Sequence, residues 1–353
     1  MQFAREMLPR QITYLRYPCK LVVTNVYFSN ILSTTLNKIL HTHHSEPREV
    51  SLSTLLKTIV DGIREDFGQP VSLMRLLAEH PEIRVSLDDP PPCIAAESIV
   101  QWHKLGQVPY TDYSRRKHGT LMGWKLHDKY HYSGFTLNRP EYEHIGKQEV
   151  IEHWTCDIAD VHGFSASKSE LRQFSSTDEM VETNSSEMID VVTHEKLAKN
   201  LAHSEIRIIH SPGSDYFGRY RWDNRLFLMN SGGSHHFAAA KYIATRLSES
   251  VPLQGKLYTY SLNLDAITSL CRDYEMFVIS DETTVSLRFH DAMKAFRATW
   301  LWHYMPRPFK NAKAILLPKN ERRSLKVAAV LRQAGVVDLG QHLIGLASKQ
   351  LIH

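Results

Sequence analysis

Residues 225–247 (RLFLMNSGGSHHFAAAKYIATRL) restrict what this chain can fold into more than any other stretch. Leu226 to Met229 are apolar without alternation, the pattern of a strand buried on both faces. Gly232 and Gly233 follow, and glycine admits positive φ and close backbone approach. Phe237, Ala240, Ala244 and Leu247 then recur at helical spacing, while Ala238, Ala239 and Ala240 suit tight packing on a sheet. The segment therefore reads as strand, glycine turn and helix, the helix opening at Phe237 or slightly earlier. Peptide N–H groups at such a helix start, next to glycines, form an anion site. Ser234 adds a hydroxyl, and His235 and His236 add imidazoles that donate to phosphate or move protons near neutral pH. The same residues also describe a glycine turn capped by Ser234 with two surface histidines.

The flanks extend the pattern. Thr193 is a good N-cap, Val192 and Leu197 occupy hydrophobic-staple positions, and Glu195 suits the first turn of a helix running from His194 to His203. Ile206 to Ile209 reads as a strand ended by Ser211-Pro212-Gly213. The expected order is helix, strand, loop, strand, glycine turn, helix. That order, with Gly232-Gly233-Ser234-His235-His236 at the turn, resembles the ParB/sulfiredoxin-like superfamily. There a strand runs into a G-G-C-H-R or D-G-x-H-R turn and then an Ala-rich helix. The resemblance implies that Gly232, Gly233 and His235 line a phosphate site, and it implies a nucleotide-handling or DNA-linked role. Ser234 stands where sulfiredoxin has its reactive Cys, so reduction of a sulfinic acid is not expected. His236 stands where the family has Arg, which removes a fixed bidentate clamp. The loop Ser214 to Asn224 is expected at the same end of the sheet. Its Arg219 and Arg221 are candidates to replace that charge, and Asp215 or Asp223 to hold Mg²⁺ or act as a base. An exposed loop with ordinary charges is the other reading.

Elsewhere the signals are local. Leu21 to Phe28 is rich in β-branched and aromatic residues, as a strand would be. Leu52, Leu55, Leu56, Ile59, Val60 and Ile63 predict a helix capped by Ser51 or Ser53 and ended by Gly68 and Pro70. Ser72 heads a second helix, Leu73 to Glu79. The two form either a helix-turn-helix or a packed pair, and no basic recognition face follows them. Asp88 to Cys93 (DDPPPC) is a boundary or rigid loop. Val150 to Trp154 reads as a strand, and Ser175 to Ser186 as an exposed loop or linker. In the last third, Leu264 to Arg272, His290 to Tyr304, Ser324 to Gln333 and Leu339 to Leu351 read as helices, with Gly335 at a C′ position. Met276 to Ile279 and Ala314 to Leu317 read as strands. The fold expected is α/β or α+β, with a mostly helical region over 1–92 and an aromatic, basic β-loop region over 93–149. A ParB/sulfiredoxin-like core follows over 150–255 and a basic α/β region over 256–353.

The formal net charge of +4 hides an uneven distribution. Arg288 to Arg332 carries eleven Lys/Arg against Asp291 and Glu321, while Asp157 to Lys196 carries nine Asp/Glu against Lys168, Arg172 and Lys196. The basic stretch predicts nucleic-acid binding through Lys319, Arg322, Arg323 and Lys326 if its cations point one way, and a solvated surface if they ring the helices. Trp102, Tyr110, Tyr113, Trp124, Tyr130 and Tyr132, interleaved with Lys104, Arg115, Arg116, Lys117, Lys125 and Lys129, suit either base stacking or strand packing. His41, His43 and His44 read as a solvated loop rather than a metal site. Cys19, Cys93, Cys156 and Cys271 lie far apart, so neither zinc nor a disulfide framework is expected, and nothing points to haem. No leader-like or membrane-spanning apolar run appears, and a cytoplasmic protein is expected.

Two functional classes follow. The first is a nucleotide- or phosphate-binding protein, as a phosphotransferase or nucleotide hydrolase, with ATP or CTP and Mg²⁺ as candidate ligands. Its phosphate would sit on Gly232, Gly233 and Ser234, with Ser234, His235 and Asp223 as catalytic candidates and His236, Arg219 and Arg221 as charge support. The second is a non-catalytic protein that binds DNA or RNA through residues 288–332. A purely structural interaction module is a third.

Overall fold

The computed structural model describes residues 52–108, 116–128 and 131–350. The strand expected at Leu21 to Phe28, the His41, His43 and His44 cluster, Cys19, Ser51, and Tyr110, Tyr113, Arg115, Lys129 and Tyr130 lie outside them. The chain divides into two compact units at Gln69–Pro70. The first contains α1 (Leu52–Asp66), after which Gly68 turns the chain at φ 86°. The second is of α+β class, with two sheets of five strands each.

Its helices are α2 (Val71–Glu79), α3 (Pro140–Glu143), α4 (Thr177–Asn184), α5 (His194–Leu201), α6 (Arg207–His210), α7 (Ser234–Leu247), α8 (Leu264–Asp273), α9 (Thr283–Phe296), α10 (Arg322–Gln333) and α11 (Leu339–Lys349). Its strands are β1 (Thr120–Leu126), β2 (Tyr132–Asn138), β3 (Gly146–Asp157), β4 (Val161–Phe164), β5 (Tyr216–Tyr220), β6 (Leu226–Met229), β7 (Pro252–Leu262), β8 (Tyr274–Ser280), β9 (Trp300–Tyr304) and β10 (Ala312–Pro318).

The first sheet, ordered β2-β1-β9-β10-β8, is antiparallel throughout. Side chains alternate across a strand, and this alternation sorts its central strands between two cores. Met276, Val278, Ala314 and Leu316 face α8 and α11, while Phe277, Ile279, Ile315 and Leu317 face α2, α9 and α10. Helices thus cover both faces, which is why β10 reads as a continuous apolar run. Trp124 and Tyr132 stack at 6.3 Å against this second core, and Trp102 is buried in the first. These aromatic residues pack the sheet. The sheet joins strands from 120–138 to strands from 274–318, so it crosses the expected segment boundaries.

The second sheet, ordered β3-β7-β5-β6-β4, is mixed. β5 pairs parallel with β7 and β6 parallel with β4, while β3–β7 and β5–β6 are antiparallel. Phe217, Leu226, Leu228, Leu253 and Leu257 pack beneath α4, α5 and α7, with Met180, Val181, Leu197, Phe237 and Ile243.

Several sequence expectations need correction. Ile206 to Ile209 is no strand; the chain makes the single helical turn α6. Ile206 and Ile208 are both buried, and one turn is too short for spacing to separate it from a strand. Ser175 to Ser186 is no loop. Ser176 caps α4 by accepting from the Glu179 N–H, Glu179 returns to the Ser175 N–H and hydroxyl, and Met180 and Val181 are fully buried. Its polar composition belongs to the exposed face. His290 to Tyr304 is not one helix: Arg297 takes φ 55° after α9, and Trp300 to Tyr304 form β9. Ser214 to Asn224 contains β5 rather than being loop throughout. Ser72 lies inside α2 rather than at its cap.

Candidate functional site

Because β4 and β6 run parallel, their carboxyl ends lie side by side. In open α/β sheets, ligands occupy the crevice beyond such ends. β4 leads into Ser165-Ala166-Ser167-Lys168-Ser169, and β6 leads into Asn230 and the glycine turn that opens α7. The Asn230 side chain, 5% exposed, locks the two loops together. Its Oδ1 accepts from the Ser165 and Ala166 N–H groups, both at 3.2 Å, and its Nδ2 donates to the Ala166 and Gly232 carbonyls, both at 2.9 Å.

Gly233 is the N-cap of α7 at φ 73°, and no side chain caps the helix. A Cβ there would lie 2.5 Å from the Glu205 carbonyl oxygen, so both backbone conformation and space require glycine. Gly232 is different, since a Cβ would meet nothing nearer than 3.6 Å. The close approach expected at the glycines is therefore made at Gly233, and by the protein's own backbone.

Ser234 is buried, and its hydroxyl donates to Ser167 Oγ at 2.9 Å. It ties the helix start to the β4 loop. His235 is half-buried between two hydroxyls, with Nε2 3.1 Å from Ser169 Oγ and Nδ1 2.5 Å from Ser185 Oγ. Asn184 Nδ2 donates to Ser169 Oγ at 2.7 Å. Burial, then the Lys168 charge, holds His235 below its ordinary value, with Glu187 opposing. The imidazole is neutral at pH 7. His236 stacks on His203 at 3.7 Å, and its Nδ1 lies 3.2 Å from Asn200 Oδ1. Burial and then His203 lower its pKa as well. Behind the turn, Asp215 Oδ1 accepts from the Ser231 N–H and hydroxyl, and Arg207 donates to the same hydroxyl. Burial raises the Asp215 carboxyl above its ordinary value.

The hairpin separates the remaining candidates from this cluster. β5 and β6 are antiparallel, with Tyr216 opposite Met229 and Arg219 opposite Leu226. Asp215 therefore sits near the glycine turn, whereas Arg219, Arg221 and Asp223 gather at the other end of β6. There Arg219 lies 5.3 Å from the Trp154 ring and Arg221 donates to the Gln350 carbonyl. Asp223 pairs with Arg225 through both oxygens, at 2.7 and 2.8 Å. The sequence reading missed Lys168, Ser169, Asn184, Ser185 and Asn230. The S-A-S-K-S run after a short β-rich stretch was the available signal, and it needed the parallel pairing to acquire meaning.

Part of the basic stretch is committed within the fold, while Arg288, Lys294, Arg307, Lys310, Arg322 and Arg332 are exposed. Lys313 is buried and pairs with Asp281 at 3.1 Å. Lys319 and Arg332 share Glu275, and Arg323 donates to the Phe296 carbonyl and lies over its ring. Arg322 is exposed at the start of α10, and Lys326 is half-buried one turn further on. Among the described residues, no group of three His, Cys, Asp or Glu side chains is placed to hold a metal, and no helix is long and apolar enough to cross a membrane.

Fold and site together define an α+β protein with a histidine–hydroxyl cluster at the ends of two parallel strands. The chain belongs to a family of unknown function (DUF6685), which it matches over residues 151–353, a span that contains the whole cluster. No curated protein and no solved structure matches it.

Proposed function

We propose that the crevice beyond β4 and β6 binds a phosphate-bearing ligand of the nucleotide class, and that His235 transfers protons there. The observation that carries this reading is the meeting of the two loops at the start of α7. Fourteen aligned peptides place partial positive charge at that start, and no side chain caps it. Lys168 is exposed beside it and supplies a full charge. His235, neutral at pH 7, is in the form that accepts a proton. Ser234 serves as a strut, and ligand contact falls to Gly232, Lys168 and the helix N–H groups. The choice of nucleotide over bare phosphate rests on the resemblance at Gly232 to His236.

A thermal-shift panel of inorganic phosphate, ATP and CTP, each with and without Mg²⁺, tests it. A ligand at about one hundred times its Kd stabilises by about 2.7 kcal/mol, which melting resolves. The shift is expected to shrink in Lys168→Ala and His235→Ala. Absence of a shift with every ligand overturns the reading.

A further inference from the structure

The arrangement around His235 has more order than anion binding needs. We infer that Ser169 is a nucleophile, activated by His235 and aimed at the phosphoryl group of a phosphate ester or anhydride. The nucleophile is argued from geometry alone; the choice of a phosphoryl substrate rests on the anion reading above.

A serine nucleophile needs a base within hydrogen-bond reach and a third group that orients the base. Ser169 Oγ lies 3.1 Å from His235 Nε2, and Ser185 Oγ lies 2.5 Å from Nδ1, on the opposite side of the ring. In the proposed tautomer the proton sits on Nδ1: the Ser169 hydroxyl then donates to Nε2, while the Asn184 amide donates to Ser169 Oγ at 2.7 Å and holds that oxygen in place. The Nδ1–H is then left to donate to Ser185 Oγ. Ser185 is buried, 2% exposed, and closes the C-terminal end of α4, so this orienting group is fixed by the fold. Ser169 is half-exposed on the β4 loop next to Lys168, where a substrate can reach it. One lone pair of Oγ accepts from Asn184 and another remains for attack. The charged and titratable groups around the ring are Lys168 on the β4 loop, Glu187 after α4 and His236 on α7.

In the step, Ser169 Oγ forms a bond to phosphorus while the bond from phosphorus to the leaving oxygen breaks. The serine proton passes to His235 Nε2 and from there to the leaving oxygen. Water then attacks the phosphoserine, gives its proton to Nε2, and Ser169 Oγ departs with that proton. Ser169 and His235 are the catalytic residues, and Ser185 is a positioning residue.

The test uses the full chain and a fluorophosphonate probe, which forms an O–P bond on an activated serine and expels fluoride. Peptide mapping is expected to place one adduct on Ser169 and none on Ser165 or Ser167. Ser169→Ala, changed at a half-exposed side chain, is expected to melt near the parent temperature and to take no label. His235→Gln is expected to label about 100-fold more slowly. The parent rate is expected to fall as pH drops through a midpoint below the ordinary imidazole value of 6.5. Ser185→Ala is expected to move that midpoint, and Ser185→Thr to restore it. No adduct on Ser169 in protein shown to be folded by circular dichroism overturns the inference. An equal rate in a folded His235→Gln overturns it too. Labelling without any nucleotide-induced shift keeps the nucleophile and overturns the phosphate reading; a shift without labelling does the reverse.

Discussion

The two sheets have five strands each and differ in where their polar groups meet. In the antiparallel sheet the charges are cancelled where they stand: Lys313 by Asp281, and Lys319 with Arg332 by Glu275. In the mixed sheet the parallel β4–β6 pair forces two connections to leave from one end. Their polar groups meet each other there, with Ser167, Ser169, Ser185, Ser234 and His235 in one network. Strand direction, more than composition, thus decides where these polar groups collect. The basic stretch is conspicuous in sequence yet only partly paired within the fold, while the short S-A-S-K-S run lies where the β4 and β6 loops meet.

The largest test compares two of the histidines held below their ordinary value, His235 and His103. His103 lies among rings, 4.1 Å from Tyr260 and 6.0 Å from Trp222, and its buried Nδ1 has no hydrogen-bond partner. Burial, with a smaller contribution from Lys104, pushes its pKa down to about 3. The unfolded chain therefore binds a proton that the native state refuses. Stability is whole above pH 6.5 and falls as pH drops from there towards 3, by an expected loss on the order of 4 kcal/mol. Urea titrations at several pH values check this, and His103→Phe is expected to flatten the profile while leaving any nucleotide shift intact. A profile equally steep in that variant would place the acid sensitivity elsewhere.

Two glycines with nearly the same φ sharpen the comparison. Gly233 in the mixed sheet's turn has φ 73° and Gly335 after α10 has φ 74°. Around Gly335 a Cβ meets nothing within 4 Å, whereas at Gly233 it meets the Glu205 backbone. Gly335→Ala is expected to cost about 1 kcal/mol, the left-handed penalty alone, and Gly233→Ala about 3 kcal/mol. Equal costs would mean that the turn yields freely and does not fix the start of α7.

Effects smaller than that at Gly233 belong to the charges around the antiparallel sheet. Asp281→Asn leaves Lys313 buried beside a neutral partner, and a loss of about 2 kcal/mol is expected from chemical denaturation. Arg322→Ala, at an exposed helix start, is expected to change stability by less than about 0.5 kcal/mol. It is also expected to leave retention on immobilised DNA unchanged at moderate salt. A steep salt-dependent loss of retention in Arg322→Ala would support the nucleic-acid reading of residues 288–332.

The sequence carried β6, the glycine turn, α7, the Thr193 cap and most of the last third, because each shows periodicity or capping chemistry over enough residues. Thr193 accepts from the Lys196 N–H as such a cap should. It misread α4 and α6, where helices of two turns or one give periodicity too little length. The site was half legible. His235 and Gly233 stood out by type and spacing, but the partners of His235 come from 169 and 184–185, joined only by tertiary pairing. Arg219, Arg221 and Asp223 were misplaced because Ser214 to Asn224, read as loop, contains β5, which runs antiparallel to β6 and carries them to its other end.

The bridge made by Asn230 has a thermodynamic consequence. A site assembled from two separate loops usually charges its ligand for freezing them, since each ordered residue forfeits about 1–2 kcal/mol of backbone entropy. Here one amide holds residues 165–166 and the Gly232 carbonyl in a single register. That ordering is completed during folding. The loop junction is preorganised, and on the proposed function binding free energy stays available for the ligand itself.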